Sequence, residues 1–123
     1  MKVNELRIGN YVYFHGDVEE INMVDGFGVI GREEQPLCSI DEFEPIPLTE
    51  EWLLKFGFEK ADEIYFIEFG VYSMTIKEYE KGKYILNPET HFNYVDIEYV
   101  HQLQNLYFAL TGKELILTKN ETN

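Results

Sequence analysis

Short apolar runs separated by turn residues occupy the first 47 positions, and this pattern limits the possible folds more than any other feature. It predicts strands at 11–14, 18–24, 27–30, 37–40 and 43–46. Turns are expected at His15-Gly16-Asp17 and at Asp25-Gly26, the second being a common hairpin signal. Because closure of a sheet hides the edges of short strands, we expect a small rolled sheet of the SH3-like barrel type.

A short helix is predicted after this sheet. Thr49 has the character of an N-cap, two acidic residues follow in the first turn, and Gly57 suits the position after the helix. Strands are then expected at 64–69, 71–77, 84–86 and 92–97. Apolar residues at helical spacing predict a helix at 99–110 that ends at Gly112, and a final strand is expected at 114–118.

The predicted fold class is therefore α+β: an SH3-like rolled sheet, a short helix, a β-meander and a C-terminal helix. The 123 residues fit a single domain, with a β-barrel-like part at 1–47 and the remaining elements at 48–118. Hydrophobic residues make up 45% of the chain, which is enough to form a core.

Several classes of protein are not expected. The sequence has no apolar run of about 18 residues, and its N-terminus lacks the apolar segment of a secretory signal. Cys38 is the sole cysteine, so an internal disulfide and a CxxC zinc site are excluded, and we interpret it as a buried, inert thiol. A cytoplasmic protein without cofactor or metal is the simplest expectation.

The charge of the chain is strongly acidic and uneven. The net charge is −13, and residues 17–63 hold fourteen acidic against three basic residues. This argues against direct binding to nucleic acid, which needs basic side chains along the phosphates, and against anionic membranes. Two interpretations remain: the acidity serves solubility, or it forms a face for a basic protein partner.

Three segments carry a resemblance to known sequences: ELRIGN at 5–10, EPIPLTEEWLLKFGF at 44–58 and YVHQLQNLYFALTG at 99–112. They are similar to small uncharacterised proteins of phages, prophages and mobile elements of Bacteroides-type bacteria, and together they cover about a third of the chain. The resemblance implies a mobile-element origin. It implies no activity.

Candidate partner-binding residues come from the acidic clusters and from the last helix. They are Glu19, Glu20, Glu33, Glu34, Asp41, Glu42, Glu44, His101, Gln102 and Asn105. None of the acidic clusters has the ligand spacing of an EF-hand. The glycines at 26–31 are interpreted as turn residues because no helix or Lys-Ser/Thr pair follows them.

His101 has two interpretations. It lies three residues after Glu98 on the predicted helix, and acid–base or metal chemistry would need further partners within reach. The alternative is a packed helix histidine. His91 and Asp96 would join it only if their strand lay beside the helix, and their spacing matches no metal motif.

The leading hypothesis is a non-enzymatic interaction protein of a mobile element that binds a basic host or phage protein. Inhibition of a host defence or nucleic-acid-handling protein is one version. The alternatives are a small enzyme or ligand-binding domain near the last helix, and a self-associating structural accessory. The sequence leaves the oligomeric state open.

Overall fold

The computed structural model describes residues 1–26, 28–32, 35–86 and 95–117. Within these ranges the chain is mixed α+β, with ten strands in two antiparallel sheets and two α-helices. This confirms the predicted fold class. The chain divides into two compact units: unit 1 is Met1–Ile46 with Tyr99–Glu114, and unit 2 is Pro47–Glu98 with Leu115–Asn123. Among the described helices, none has the length and apolar character needed to cross a membrane.

Unit 1 contains a five-stranded antiparallel sheet that curls into a half-barrel. Its strands are β1 (Tyr11–Phe14), β2 (Asp17–Val24), β3 (Val29–Arg32), β4 (Cys38–Ser39) and β5 (Phe43–Glu44). They lie side by side in the order β4-β3-β2-β1-β5. Two 3-10 helices, Val3–Glu5 and Ile40–Glu42, and the C-terminal α-helix Val100–Thr111 complete the unit.

The core of unit 1 lies on the inner face of this sheet. One cluster of this core is Leu6, Val12, Ile21, Ile30 and Phe43, all of them buried, and Val100, Leu103 and Tyr107 of the C-terminal helix are buried as well. Successive strand residues point to opposite faces, so the same alternation sends Tyr13, Val18, Glu20 and Glu44 to the outer face.

Unit 2 is a short helix followed by a β-meander. The helix α1 is Glu50–Lys55, and the strands are β6 (Glu59–Ala61), β7 (Ile64–Phe69), β8 (Tyr72–Glu80), β9 (Lys83–Leu86) and β10 (Asp96–Ile97). Neighbouring strands pair in the order β10-β9-β8-β7-β6. The predicted helix and meander are confirmed, and the C-terminal helix is α2 (Val100–Thr111).

The helix ends follow the predicted chemistry. Thr49 is the N-cap of α1, and its hydroxyl accepts a hydrogen bond from the Trp52 N–H across 3.4 Å. Gly57 and Gly112 follow the two helices with φ of +99° and +76°, a left-handed conformation that glycine adopts without a steric cost.

Two details differ from the sequence prediction. The predicted strand 114–118 is wrong over 114–117, which pair with no strand among the described residues. Apolar alternation alone does not supply the hydrogen-bonded partner that a strand requires. Strand β6 was not predicted because Glu59 and Lys60 have no apolar pattern; it forms by pairing with β7. Of the predicted strand 92–97, only Asp96–Ile97 lies within the described residues and is a strand.

Candidate functional site

A shallow groove of about 320 Å³ lies at one end of the unit 1 sheet. We call it the acidic groove, and its lining residues are His15, Gly16, Asp41, Glu42 and Glu44. Three of these five are carboxylates on exposed positions. The groove therefore presents concentrated negative charge to solvent.

A tight hairpin turn forms one wall of the groove. Phe14 pairs with Asp17, so His15 and Gly16 are the two connecting residues, with φ of +50° and +90°. Positive φ at both positions is typical of the type I′ turn, whose twist matches that of the strands it joins. Gly16 takes this conformation easily, and His15 is held by side-chain contacts.

Those contacts fix the imidazole of His15. Its ring meets the Phe14 ring edge to face, with centroids 4.3 Å apart, and its Nε2 lies 3.1 Å from Glu42 Oε1. Phe14 in turn packs on Phe43 at a centroid distance of 5.0 Å. The aromatic cluster thus places the histidine beside the carboxylate of the 3-10 helix.

The opposite wall is the 3-10 helix Ile40–Glu42 and strand β5. The hydroxyl of Ser39, its N-cap, accepts a hydrogen bond from the Asp41 N–H across 3.2 Å. Phe43 then turns into the core and Glu44 turns outward opposite Tyr13. The alternation of the strand therefore brings Glu44 to the same groove as Asp41 and Glu42.

The carboxylates of the groove are poorly neutralised. Unit 1 has eleven acidic and four basic residues. Arg7 pairs with Glu114, and the guanidinium of Arg32 lies 3.7 Å from the centroid of the Phe14 ring. Within the described ranges, Asp41 and Glu44 have no ion-pair partner.

The other predicted acidic residues are placed differently. Glu20 is exposed on the outer face opposite Tyr11, where burial and the nearby Glu20 carboxylate raise the pKa of the Tyr11 hydroxyl. Glu19 is half-buried and lies opposite Val12. Glu33 and Glu34 lie outside the described residues.

Two amide side chains of α2, Asn105 and Gln104, join segments of unit 1. Asn105 Oδ1 accepts hydrogen bonds from Arg7 and Asn10, and Asn105 Nδ2 donates to the Glu5 carbonyl across 2.8 Å. Gln104 donates to the Gly9 carbonyl and accepts from the Tyr11 N–H, each across 2.9 Å. We call these interactions the amide network. They join the segments 5–10 and 99–112, two of the three that carry the resemblance.

Gln102 is exposed, and its side chain caps the helix. Its Oε1 accepts a hydrogen bond from the Tyr99 N–H across 3.1 Å, which satisfies a donor at the N-terminus of α2. Gln102 and Asn105 thus both use their amides within unit 1.

His101 is buried, with 1% of its surface exposed. Neither ring nitrogen has a hydrogen-bond partner in the described structure, and Nε2 lies 3.5 Å from Glu5 Oε1, beyond normal hydrogen-bond length. Burial lowers the pKa of His101 below its ordinary value, and the Glu5 carboxylate opposes this shift only in part.

Unit 2 carries a second, smaller groove of about 170 Å³, and Tyr65 is one of its lining residues. The Tyr65 hydroxyl donates a hydrogen bond to Glu50 Oε1 across 2.7 Å, and Lys60 Nζ donates to the same oxygen across 3.0 Å. Burial and the Glu50 carboxylate raise the pKa of Tyr65. Because these contacts tie α1 to β6 and β7, they stabilise the meander.

No three histidine, cysteine or acidic side chains of the described ranges are grouped closely enough to hold a metal ion. The acidic groove is included in this statement.

Sequence reasoning named Asp41, Glu42 and Glu44 but missed the role of His15. The sequence predicts a turn at His15-Gly16-Asp17, and only the pairing of β1 with β5 brings that turn next to Glu42. Arg7 and Asn10 were missed for a similar reason, since their partner Asn105 is 98 and 95 positions away.

Comparisons with protein-family models, with curated proteins and with solved structures found no match.

Proposed function

We propose that this chain is a non-enzymatic interaction protein of a mobile element and that its acidic groove binds a basic host or phage protein. The observation that supports this most is the unmatched charge of Asp41 and Glu44, which are exposed and have no ion-pair partner within the described residues. A basic partner supplies the charge that unit 1 lacks.

The surroundings of the groove suit protein recognition. Tyr13 is half-buried and pairs with Glu44 on one side and with Val18 on the other. Val18 is 48% exposed, so apolar surface lies beside the carboxylates. Tyrosine next to charge is common in interfaces because the ring offers apolar area and a hydrogen-bonding hydroxyl together.

The resemblance of segments 5–10, 44–58 and 99–112 to phage and mobile-element proteins supports a host or phage protein as the partner. A host defence protein or another protein that handles nucleic acid fits the charge, because such proteins carry lysine and arginine for phosphates. By occupying those side chains, the acidic groove would inhibit the partner.

The test uses the tagged chain as bait in a lysate of a Bacteroides-type host, followed by purification of the retained protein and measurement of its Kd. We expect a basic partner whose binding weakens as salt rises from about 50 to about 300 mM. The variant D41N/E42Q/E44Q should weaken binding about tenfold, since three rim charges each contribute up to about 1 kcal/mol.

The matched control is E59Q/E63Q/E68Q, which removes the same number of charges from exposed positions of unit 2. It should change the Kd less than about twofold, apart from screening of the overall charge. Equal losses in both variants would show that net charge rather than the groove drives binding. Retention that ignores both salt and D41N/E42Q/E44Q would contradict the proposal.

A further inference from the structure

The outer face of the unit 1 sheet carries apolar side chains that face solvent. Val18 on β2 is 48% exposed, Met23 further along the same strand is 37% exposed, and Leu37 just before β4 is 55% exposed. The buried core lies on the inner face of the same strands. Packing of unit 1 therefore uses one face of the sheet and leaves these three apolar groups on the other.

An irregularity in the pairing of β2 with β3 brings Met23 to the outer face. Ile21 points into the core, so plain alternation would send Met23 inward as well. The register shifts between the two residues, after which Val24 packs against the core and Met23 lies opposite Gly31. A Cβ on Gly31 would lie 2.8 Å from the Met23 Cβ and 3.1 Å from Leu37 Cδ2. Met23 and Leu37 thus border the same glycine and form one apolar patch.

A second apolar patch lies at the other end of β2, beside the acidic groove. Val18 is opposite the half-buried Tyr13, and Tyr13 is in turn opposite Glu44 of the groove. Between the two patches, the exposed Glu20 lies on the same face opposite Tyr11. We call this part of the outer face the outer strip, and its residues are Tyr13, Val18, Glu20, Met23 and Leu37.

The dimensions of the outer strip suit a helix. Val18 and Met23 are five positions apart on an extended strand, which is about 16 Å, and three turns of an α-helix have about the same length. The strip is two strands wide, roughly 10 Å, which is close to the diameter of one helix. Added strands pair with a sheet edge, whereas β2 is already paired on both sides by β1 and β3. Recognition on this face therefore depends on side chains, as in the packing of a helix on a sheet.

The charge around the outer strip selects the chemistry of that helix. Unit 1 has eleven acidic and four basic residues, and the exposed carboxylates of Glu20 and Glu44 lie beside the apolar patches. A second copy of this chain would bring the same carboxylates to the contact, and like charges repel. A helix with lysine or arginine beside an apolar stripe supplies the opposite charge together with the apolar surface.

We propose that the outer strip binds a basic amphipathic helix of the partner protein. The apolar stripe of that helix packs on Val18, Met23 and Leu37, and its lysine or arginine side chains pair with Glu20 and Glu44. The inference rests on the proposed function for a basic partner, and it adds the element that the partner presents and a second surface that receives it. The acidic groove then attracts the helix at one end, and the outer strip provides the apolar contact.

Binding of synthetic peptides to the full chain tests the outer strip. The probe is a leucine–lysine peptide of about four helical turns with leucines at i, i+3, i+4 and i+7, and its control is a scrambled peptide of the same composition without an apolar stripe. We expect the Kd of the amphipathic peptide, measured by fluorescence anisotropy, to be about tenfold lower than that of the scrambled one. In NMR spectra of the wild type, the methyl signals of Val18, Met23 and Leu37 should shift more than those of Leu110, which is exposed on α2.

Two double variants locate the apolar contact. M23S/L37S removes one patch of the outer strip and should raise the Kd of the amphipathic peptide about tenfold, with less than about a twofold change for the scrambled peptide. The matched control V71S/L110S removes two exposed apolar side chains from the turn between β7 and β8 and from α2, and should leave both values within about twofold. The groove variant D41N/E42Q/E44Q should weaken both peptides, because both carry the same positive charge.

The results separate the outer strip from the acidic groove. Equal Kd values for the two peptides, or a Kd that M23S/L37S leaves unchanged, would overturn the outer strip, even if the groove variant weakens binding and so supports the proposed function. A loss in M23S/L37S without any loss in D41N/E42Q/E44Q would support the strip and contradict the groove. A chain that dimerises in light scattering and becomes monomeric in M23S/L37S would assign the strip to a second copy and overturn the proposal.

Discussion

The side-chain oxygen of Asn105 accepts hydrogen bonds from Arg7 Nη1 and from Asn10 Nδ2, each across 2.9 Å. Asn10 is fully buried, and its own Oδ1 accepts from the Arg7 N–H across 2.6 Å. One amide of α2 thus satisfies a buried donor in the loop that precedes β1. The buried Asn10 amide therefore has its acceptor only when the loop is packed on the helix.

Replacement of Asn105 should therefore lower the stability of the folded protein. Asn105→Ala leaves the buried Asn10 amide without its acceptor, and a buried unsatisfied donor costs about 1–3 kcal/mol. We expect the free energy of unfolding to fall by about 2–3 kcal/mol in urea titrations. Gln35→Ala, an exposed amide, is the control and should change it by less than about 0.5 kcal/mol. Equal effects would contradict the role of the amide network.

The amide network also shows which contacts of this protein local sequence patterns do not predict. Alternation and helical spacing were enough to predict β1, β7, both helices and the caps at Thr49 and Gly112, because each depends on neighbouring residues. The pairing of Arg7 with Asn105 joins residues 98 positions apart, and no local pattern records it. The same holds for His15 and Glu42, which meet only after β1 pairs with β5.

Charge patterning predicted part of the candidate site. Asp41, Glu42 and Glu44 were named as a cluster, and a 3-10 helix followed by one strand residue does place them on one groove. His101 and Asn105 were named from their type and position on a helix. Their burial and contacts follow from packing against residues 5–10, which periodicity alone does not give.

A side chain at position 31, where the protein has Gly31, should destabilise the fold. A Cβ built there would lie 2.8 Å from the Met23 Cβ and 3.1 Å from Leu37 Cδ2. The Met23 Cβ is fixed by the backbone of β2, so the sheet itself has to shift. We expect Gly31→Ala to lower the free energy of unfolding by about 1–3 kcal/mol, the usual cost of overpacking.

Gly26 is the matched control for Gly31. It is in the same half of the chain, a Cβ there would meet nothing within 4 Å, and its φ is not in the left-handed region. Gly26→Ala should therefore be neutral or stabilise by up to about 1 kcal/mol, because alanine restricts the unfolded chain. Thermal or urea unfolding of the two variants side by side gives the comparison. A harmless Gly31→Ala would show that β2 and β3 are not packed this closely.

The N-cap of α1 should contribute measurably to the free energy of unfolding, although the helix is short. The helix has six residues, too few to be stable alone, and Thr49 provides its side-chain cap. Thr49→Ala should lower the free energy of unfolding by about 1 kcal/mol, and Thr49→Ser should restore most of it because serine also accepts from the Trp52 N–H. If Thr49→Ser is as damaging as Thr49→Ala, the methyl group rather than the hydroxyl is the stabilising part.

The tyrosine pair of unit 2 should make the protein sensitive to alkali. Tyr84 is 2% exposed, and burial, with Glu78, Tyr65 and Glu50 adding to it, raises its pKa to about 12. Tyr65 lies 6.5 Å away, ring to ring, and its pKa is raised by burial and by the Glu50 carboxylate that accepts its hydrogen bond. Both hydroxyls therefore stay protonated in the folded protein at a pH where an exposed tyrosine ionises.

The sign of the effect on stability follows from these raised values. In the unfolded chain a tyrosine loses its proton near pH 10, whereas the folded protein holds Tyr84 neutral up to about pH 12. Stability is therefore complete below pH 10 and falls as the pH rises through this window, by up to about 1.4 kcal/mol per pH unit for each such tyrosine. Ultraviolet absorbance of tyrosinate measures the ionisation, and urea unfolding at each pH measures the loss. Tyr84→Phe and Tyr65→Phe should each reduce the slope between pH 10 and pH 12, and ionisation of all nine tyrosines in one step near pH 10 would contradict the prediction.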